Sequence, residues 1–340
     1  MELFLDSVDF NEIESATKLF ALAGVTTTPT FMHKHGITDI DSALVKLSGM
    51  VPSMHAEALG ETCDEIISEA HRILELPLKT KPVFKIPISN HGVQACRLLI
   101  NEGHQVNIHL VYTLNQAYLA MTAGATYVCP LAGRLHDEGH DAMMMIEQVV
   151  KTAEKYKYPT KVMVSSVRHP EHVRQSLLIG AHACTVPWSV MKRLSENSLT
   201  TLGANEFLEH TRLMTLKVKE VIRKENPVCS LNETLMDAMV KMTESGLGAV
   251  SVVNQNNALV GIFTDGDLRR KLKEHGQEIL RYRMSDFEYH PPVTISAGSP
   301  LYEAVKLFSS YKIDNVIAME DNFPVGILDI QDLLKMGLVG

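Results

Sequence analysis

The stretch Val83-Phe84-Lys85-Ile86-Pro87-Ile88 decides how the first two thirds of the chain are read. It has the apolar character of a buried β-strand, interrupted by one cation. Burying an ammonium without a partner is expensive, so the group is either paired or driven toward its neutral form. A lysine at its ordinary pKa of ~10.4 is neutral in only about one molecule in 2,500 at pH 7 and is a poor nucleophile. Desolvation in a strand favours the neutral amine, which attacks a carbonyl to give a Schiff base. The other reading is an amine that emerges at the strand end or pairs with a structural carboxylate, and this stretch alone leaves both open.

Outward from Lys85, short β-rich runs alternate with longer helical patterns as far as about residue 200, the signature of a mainly parallel α/β sheet. The candidate strands are Leu3–Asp6, Gly24–Thr28, Met54–Ala58, Val83–Pro87, Val106–Val111, Tyr127–Pro130, Lys161–Ser166 and Cys184–Val186. Helices such as Cys63–Leu74 and His140–Lys155 separate them. Eight such strands predict a (β/α)₈ barrel of the TIM type, with a doubly wound sheet as the runner-up. No Gly-x-Gly-x-x-Gly follows the first strand, which counts against a dinucleotide-binding version of that alternative.

Composition narrows the function classes. The 340 residues are 45% apolar and 21% charged, the profile of an ordinary globular protein of about two domains. A formal charge of -8 without a Lys/Arg cluster offers no footprint for nucleic acid or an anionic membrane, so small molecules are the expected partners. No apolar run is long enough to span a bilayer. The start Met1-Glu2-Leu3-Phe4-Leu5-Asp6 places acids where a signal peptide carries positive charge, so a cytoplasmic protein is expected. Cys63, Cys96, Cys129, Cys184 and Cys229 are odd in number and lack C-x-x-C spacing. They are expected to be buried, reduced thiols, with no disulfide framework and no metal site, and Cys129 is a candidate to line a site.

Beyond a helical pattern from Ala204 to Lys224 and the pair Asn226-Pro227, the sequence repeats itself. Ala238–Val250 aligns with Ala304–Val316, and each copy closes with a Gly-Ile strand entering a helix, Gly261–Leu268 and Gly326–Leu333. This pattern resembles a tandem CBS pair, the adenosine-nucleotide-sensing α+β module, over residues 222–340 with repeats at about 222–275 and 283–338. In that family a Thr or Ser at the strand end and an Asp three residues later hold a ribose. Thr264 and Asp267 match, although Thr264 is equally suited to cap a helix and Asp267 to complement its dipole. In the second repeat Asp329 replaces the hydroxyl residue while Asp332 remains, which implies a weaker, empty or differently selective site. The wording Gly261-Ile262-Phe263-Thr264-Asp265-Gly266-Asp267-Leu268-Arg269-Arg270 is similar to the CBS pair of arabinose-5-phosphate isomerases. That resemblance implies a nucleotide or nucleotide-sugar effector.

Polar intruders recur at comparable places in other candidate strands: Asp6, Glu57, Asn107 and His109 join Lys85. In a barrel the strand C-termini converge, so these groups can surround one substrate. Here Met1–Asp6, Ala23-Gly24-Val25-Thr26-Thr27, Lys85-Ile86-Pro87, Ala123–Val128 and Gly133-Arg134 together resemble the transaldolase and fructose-6-phosphate aldolase family across residues 1–221. The resemblance implies that Lys85 forms the Schiff base, needing no dissociable cofactor, and that Glu57 works with Asp6 through a water to move protons. Arg134, Ser166 and Arg168 match the phosphate-binding residues, where guanidinium forks suit phosphate oxygens.

Three candidate substrate-contacting positions depart from the family's pattern. Thr28 stands for Asn, His109 for Thr, and Leu131 for an aromatic that assists proton transfer in the free aldolases. Retained Schiff-base chemistry with altered substrate choice is therefore expected, with His109 able to carry a proton or fill space. The leading function is a transaldolase-type enzyme for phosphorylated sugars under CBS control. The alternatives are a free aldolase, making for example arabinose 5-phosphate from a small ketone or glycolaldehyde and a phosphorylated aldehyde, and a non-catalytic sensing scaffold. The resemblance also implies a homo-oligomer, a pentamer or decamer. Phe207, Leu208, Leu213 and Leu216 could supply a face for it or pack on their own chain.

Overall fold

A computed structural model describes residues 1–338; the last two residues of the expected second domain lie outside that range. The chain divides into two compact units, one of residues 1–196 and one from Asn197 onward. The first is a closed barrel of eight parallel strands in sequence order. These are β1 (Glu2–Asp6), β2 (Gly24–Thr26), β3 (Met54–Glu57), β4 (Pro82–Pro87), β5 (Gln105–Val111), β6 (Tyr127–Pro130), β7 (Lys161–Val164) and β8 (Ala183–Val186).

Every strand coincides with a run read from the sequence, and three stop short of it: β3 by one residue at Glu57, and β2 and β7 by two for local reasons. β2 ends at Thr26 because Thr28 leaves the sheet to cap the helix Pro29–Lys34, its hydroxyl accepting from Phe31 N–H at 3.2 Å. β7 ends at Val164 because Ser166 turns to a φ of +57°. The helix expected from His140 begins at Ala142, where Asp141 accepts from Met144 N–H as the cap. The helix Cys63–Leu74 has the expected bounds and starts in a capping box between Thr62 and Glu65.

Strand alternation sorts the side chains into two sets. Leu5, Val25, Ala56, Phe84, Ile86, Ile108, Val128 and Cys184 point outward into the core shared with the helices. Phe4, Val83, Tyr127, Cys129, Met163 and Ala183 form a separate inner cluster. Asp6, Lys85 and Ser165 follow Phe4, Val83 and Met163 by two residues and so share the inward face. In β5 the register against β6 shifts between His109 and Val111, with Leu110 at a φ of +58°. This irregularity inverts the alternation: Asn107 and His109 face inward, and Val111, which strict alternation would also place inside, packs in the outer core.

All five cysteines are free and buried, as their sequence context suggests. Among the described residues no helix is long and apolar enough to cross a membrane.

The second unit opens with the helix Ser198–Thr215, which is shorter at its C-terminal end than the pattern to Lys224; a single 3₁₀ turn, Val218–Glu220, follows. Two three-stranded sheets then repeat one plan. The first contains β9 (Val228–Ser230), β10 (Ala249–Val253) and β11 (Leu259–Thr264), and the second β12 (Thr294–Ser296), β13 (Asn315–Glu320) and β14 (Phe323–Asp329). In each, a parallel pair is followed by an antiparallel one, and the last strand runs into a helix.

Candidate active site

Lys85 is only 5% exposed and its ammonium has two partners. Nζ donates to the Thr27 carbonyl at 2.9 Å and lies 3.0 Å from Glu57 Oε1. Glu57 and Lys85 are register partners on β3 and β4. The other carboxylate oxygen of Glu57 lies 2.9 Å from His109 Nε2, a close approach that is not aligned as a hydrogen bond. One carboxylate thus reaches the amine on the neighbouring strand and an imidazole one strand further on.

The environments of the two acids push them apart. Burial raises Asp6 above the usual carboxylate range, and the nearby Glu57 charge adds to this, against the opposing pull of Lys85 and a 2.8 Å hydrogen bond from the Thr26 hydroxyl. Burial also works to raise Glu57, but the Lys85 ammonium and the His109 ring outweigh it and hold Glu57 below its ordinary value. His109 is lowered, mainly by burial, with the Glu57 carboxylate opposing and Lys85 and Arg134 assisting. At neutral pH the site therefore holds an ionised Glu57 and a neutral imidazole, beside an Asp6 that keeps its proton to higher pH than Glu57 does.

Asn107 is wholly buried beside Lys85 in register, its amide nitrogen 3.0 Å from His55 Nδ1. Burial drives His55 down to about 3, with the Lys85 charge as the secondary cause. A neutral His55 accepting at Nδ1 carries its proton on Nε2. Thr26 and Thr185 hydroxyls meet at 2.6 Å and link β2 to β8 under Asp6. His55, Thr26 and Thr185 were not singled out from sequence; their signal was the same inward parity as Asp6 and Glu57.

The residues matched to phosphate binding lie at the ends of β6 and β7. Gly133 N–H donates to the Ser166 carbonyl at 3.0 Å, and a Cβ at Gly133 would sit 2.1 Å from that oxygen, so only glycine allows the two segments this approach. Arg134 is exposed and donates to the Tyr112 hydroxyl at 3.2 Å, while Arg168 is paired with Asp137 at 2.9 Å. Behind them His172, buried, accepts from Arg168 N–H at 3.3 Å and meets His136 Nδ1 at 2.9 Å. Leu131 is buried and bridges to Ser165 beside this cluster. A cleft of about 600 Å³ on the β2 and β3 side is lined by Thr27, Pro29, Met32, Leu44, Glu57 and Leu59, and so reaches both partners of Lys85.

Within the second unit, Thr264 and Asp267 form a reciprocal capping box, with the hydroxyl donating to the carboxylate at 2.7 Å, and Arg270 adds a 2.6 Å contact to Asp267. Both line a cleft of about 680 Å³ that also includes Phe263, Tyr289, Asp314, Asn315 and Asp329. Asp332 is placed otherwise: Arg223 holds its carboxylate by two bonds of 2.9 and 2.8 Å. Asp329 caps its helix through Gln331 N–H, and burial raises its carboxyl above the usual range.

Comparison with known proteins agrees with this architecture. The transaldolase/fructose-6-phosphate aldolase family model matches residues 3–239, and the CBS domain model matches residues 218–274 and 284–338. A probable transaldolase 2 of Bacillus cereus is 35% identical over 214 residues, 61% of this chain and 96% of the relative. A probable transaldolase of Desulforudis audaxviator is 36% identical over 62% of this chain and 96% of its own length. A probable transaldolase of Maridesulfovibrio salexigens is 38% identical over 61% and 96%. The chain therefore belongs to the transaldolase/fructose-6-phosphate aldolase family, with a CBS pair in addition to its barrel.

Proposed function

We propose that the barrel is a Schiff-base transaldolase acting on phosphorylated sugars through Lys85, and that a ligand of the CBS pair regulates it. The observation that carries this reading is the sharing of one buried carboxylate, Glu57, between the Lys85 amine and the His109 ring. A lone structural ion pair needs no second titratable group, whereas amine addition followed by carbon–carbon cleavage needs several proton transfers.

In this scheme the Lys85 amine, once deprotonated, adds to the ketose carbonyl; loss of water gives an iminium, whose positive charge the ionised Glu57 opposes across 3.0 Å. Cleavage requires a base to take the proton of the hydroxyl beyond the scissile bond. The released aldehyde leaves an enamine on Lys85; that enamine adds to the acceptor aldehyde to give a second iminium, which water hydrolyses to release the new ketose and restore the amine. Asp6, raised by burial, is the carboxyl suited to carry this proton, directly or through water, and neutral His109 is the second candidate. Arg134, Arg168 and Ser166 receive the phosphate at the ends of β6 and β7, which requires Arg168 to exchange Asp137 for the substrate. Thr28, His109 and Leu131 shape the donor pocket, and the Thr28 hydroxyl, which accepts the cap bond from Phe31 N–H, keeps its own proton to donate.

For the CBS pair, Thr264 and Asp267 line the larger cleft and are suited to ribose hydroxyls. Self-association fits the helix Ser198–Thr215, which buries none of its residues and leaves Phe207 and Leu208 72% and 58% exposed. Leu213 and Leu216 instead pack on the core of their own unit.

Borohydride trapping with a panel of sugar phosphates, followed by mass mapping, tests the central claim: an adduct is expected on Lys85, and its absence with every candidate removes the proposal. Product analysis with single and paired substrates separates transfer, which needs a ketose donor and an aldehyde acceptor, from free aldol cleavage.

A further inference from the structure

Three side chains of metal-binding type converge at the end of the barrel away from the site described above. The strands are parallel and each connecting helix runs back, so helix C-termini and strand N-termini share one face. There His71 lies in the last turn of the helix Cys63–Leu74, Glu102 caps the helix Asn90–Asn101, and His104 directly precedes β5. One imidazole nitrogen from each histidine and one carboxylate oxygen lie within 4.8 Å of one another. Both rings present Nε2 to the same oxygen, Glu102 Oε2, at 2.8 Å from His71 and 3.6 Å from His104. The first contact is a hydrogen bond and the second is too long to be one, so hydrogen bonding leaves the position of the second ring unexplained. That ring is set by packing: its edge meets the buried Phe84 ring with centroids 5.8 Å apart and planes at 81°.

We propose that His71, Glu102 and His104 bind a divalent transition-metal ion of the zinc class. A tetrahedral ion with bonds of about 2.0–2.2 Å holds its donors about 3.3–3.6 Å apart. The His104 contact already has that separation, and the exposed Glu102 and His71 side chains are free to open theirs. Two imidazoles with one carboxylate favour zinc, cobalt or nickel over magnesium or calcium, which prefer all-oxygen sites. Water completes the fourth position. The ion fastens the ends of two helices to the start of β5 on the face of the barrel that serves stability, and its binding free energy adds to that of the fold.

Calorimetric titration of the full chain with zinc chloride, after treatment with a chelator, is the test, with cobalt absorption reporting tetrahedral coordination. One ion per chain is expected, with affinity falling at least about 100-fold in His71→Ala and in His104→Ala. Zinc is expected to raise the melting temperature of the parent and not of these variants, each compared with its own metal-free form. Borohydride trapping at Lys85 is expected to be the same in all of them. A His136→Ala/His172→Ala variant is the control, because these histidines also lie together and a zinc ion could be drawn to them. No saturable binding, undiminished affinity in both ligand variants, or loss only in the control variant would each overturn the assignment.

Discussion

Glu57→Gln combined with Lys85→Met offers the sharpest measurement of the central pair. At 3.0 Å, with an effective dielectric constant of about 20, the two charges attract by about 5.5 kcal/mol, an upper bound on their coupling. Glu57→Gln leaves a buried ammonium without its nearest opposite charge, and Lys85→Met leaves a buried carboxylate beside His109. Each single change is expected to destabilise the barrel by about 3–5 kcal/mol, because an uncompensated buried charge costs more than the intact pair contributes. In the double variant neither charge remains, so its cost should fall short of the sum by about 3 kcal/mol or more. Denaturant unfolding at pH 7 followed by tryptophan fluorescence reads this cleanly, since the chain has one tryptophan and Trp188 lies in the barrel, edge-on to Phe20. Single costs that add to within about 0.5 kcal/mol would show that the two groups do not interact, and the description of the site would fail with them.

Four other outcomes follow from named contacts. Asp6→Asn should lower kcat by about 10²–10⁴-fold while borohydride still traps an adduct on Lys85, since only proton transfer is removed. His109→Thr should flatten the acid limb of the pH profile, with Thr28→Asn added to shift substrate preference; unchanged profiles for rate and substrate would refute a role for either residue. Arg168→Ala should raise KM about 10–100-fold for phosphorylated substrates and leave their unphosphorylated analogues nearly unaffected, the loss expected for a charge-assisted hydrogen bond. Acid stability should report His55: its folded pKa of about 3 lies below the ordinary 6.5, so the unfolded chain binds the extra proton and up to about 5 kcal/mol is lost as pH falls from 6.5 to 3. Unfolding curves of His55→Gln should slope less over that window, and an equal slope would contradict the assignment.

The barrel was legible because its strands are apolar runs with few competing helical patterns. What the runs could not show was where a strand hands its last residue to something else. Thr28 looks like a fifth strand residue but is worth more as a cap to the helix Pro29–Lys34, and Ser166 is taken out of β7 by its left-handed backbone. The helical pattern to Lys224 overran because it was read as one element, whereas the chain makes an extended step at Leu216 and a separate turn at Val218–Glu220. Asp332 matched the ribose position by spacing alone, and spacing carries no sign of Arg223, which lies 109 residues away in sequence and binds the carboxylate by two bonds.

The candidate site was legible for a different reason: a polar side chain on the inward face of a closed barrel has few neighbours except other inward side chains. Parity alone therefore brings Asp6, Glu57, Lys85, Asn107 and His109 to one interior, yet it assigns them no roles. The roles come from what each group touches. Glu57 faces a cation and an imidazole and is held ionised, whereas Asp6 has a hydroxyl for a hydrogen-bond partner and is raised by burial. In the proposed mechanism the two carboxyls supplied by the same pattern divide into an electrostatic partner for the amine and a carrier for the proton. His109 adds to this division by reaching Glu57 across β4, second to Lys85 in holding that carboxyl ionised. A Thr at position 109 would be too short to make the same reach, so a histidine there bears on the ionisation of the site and not only on its shape.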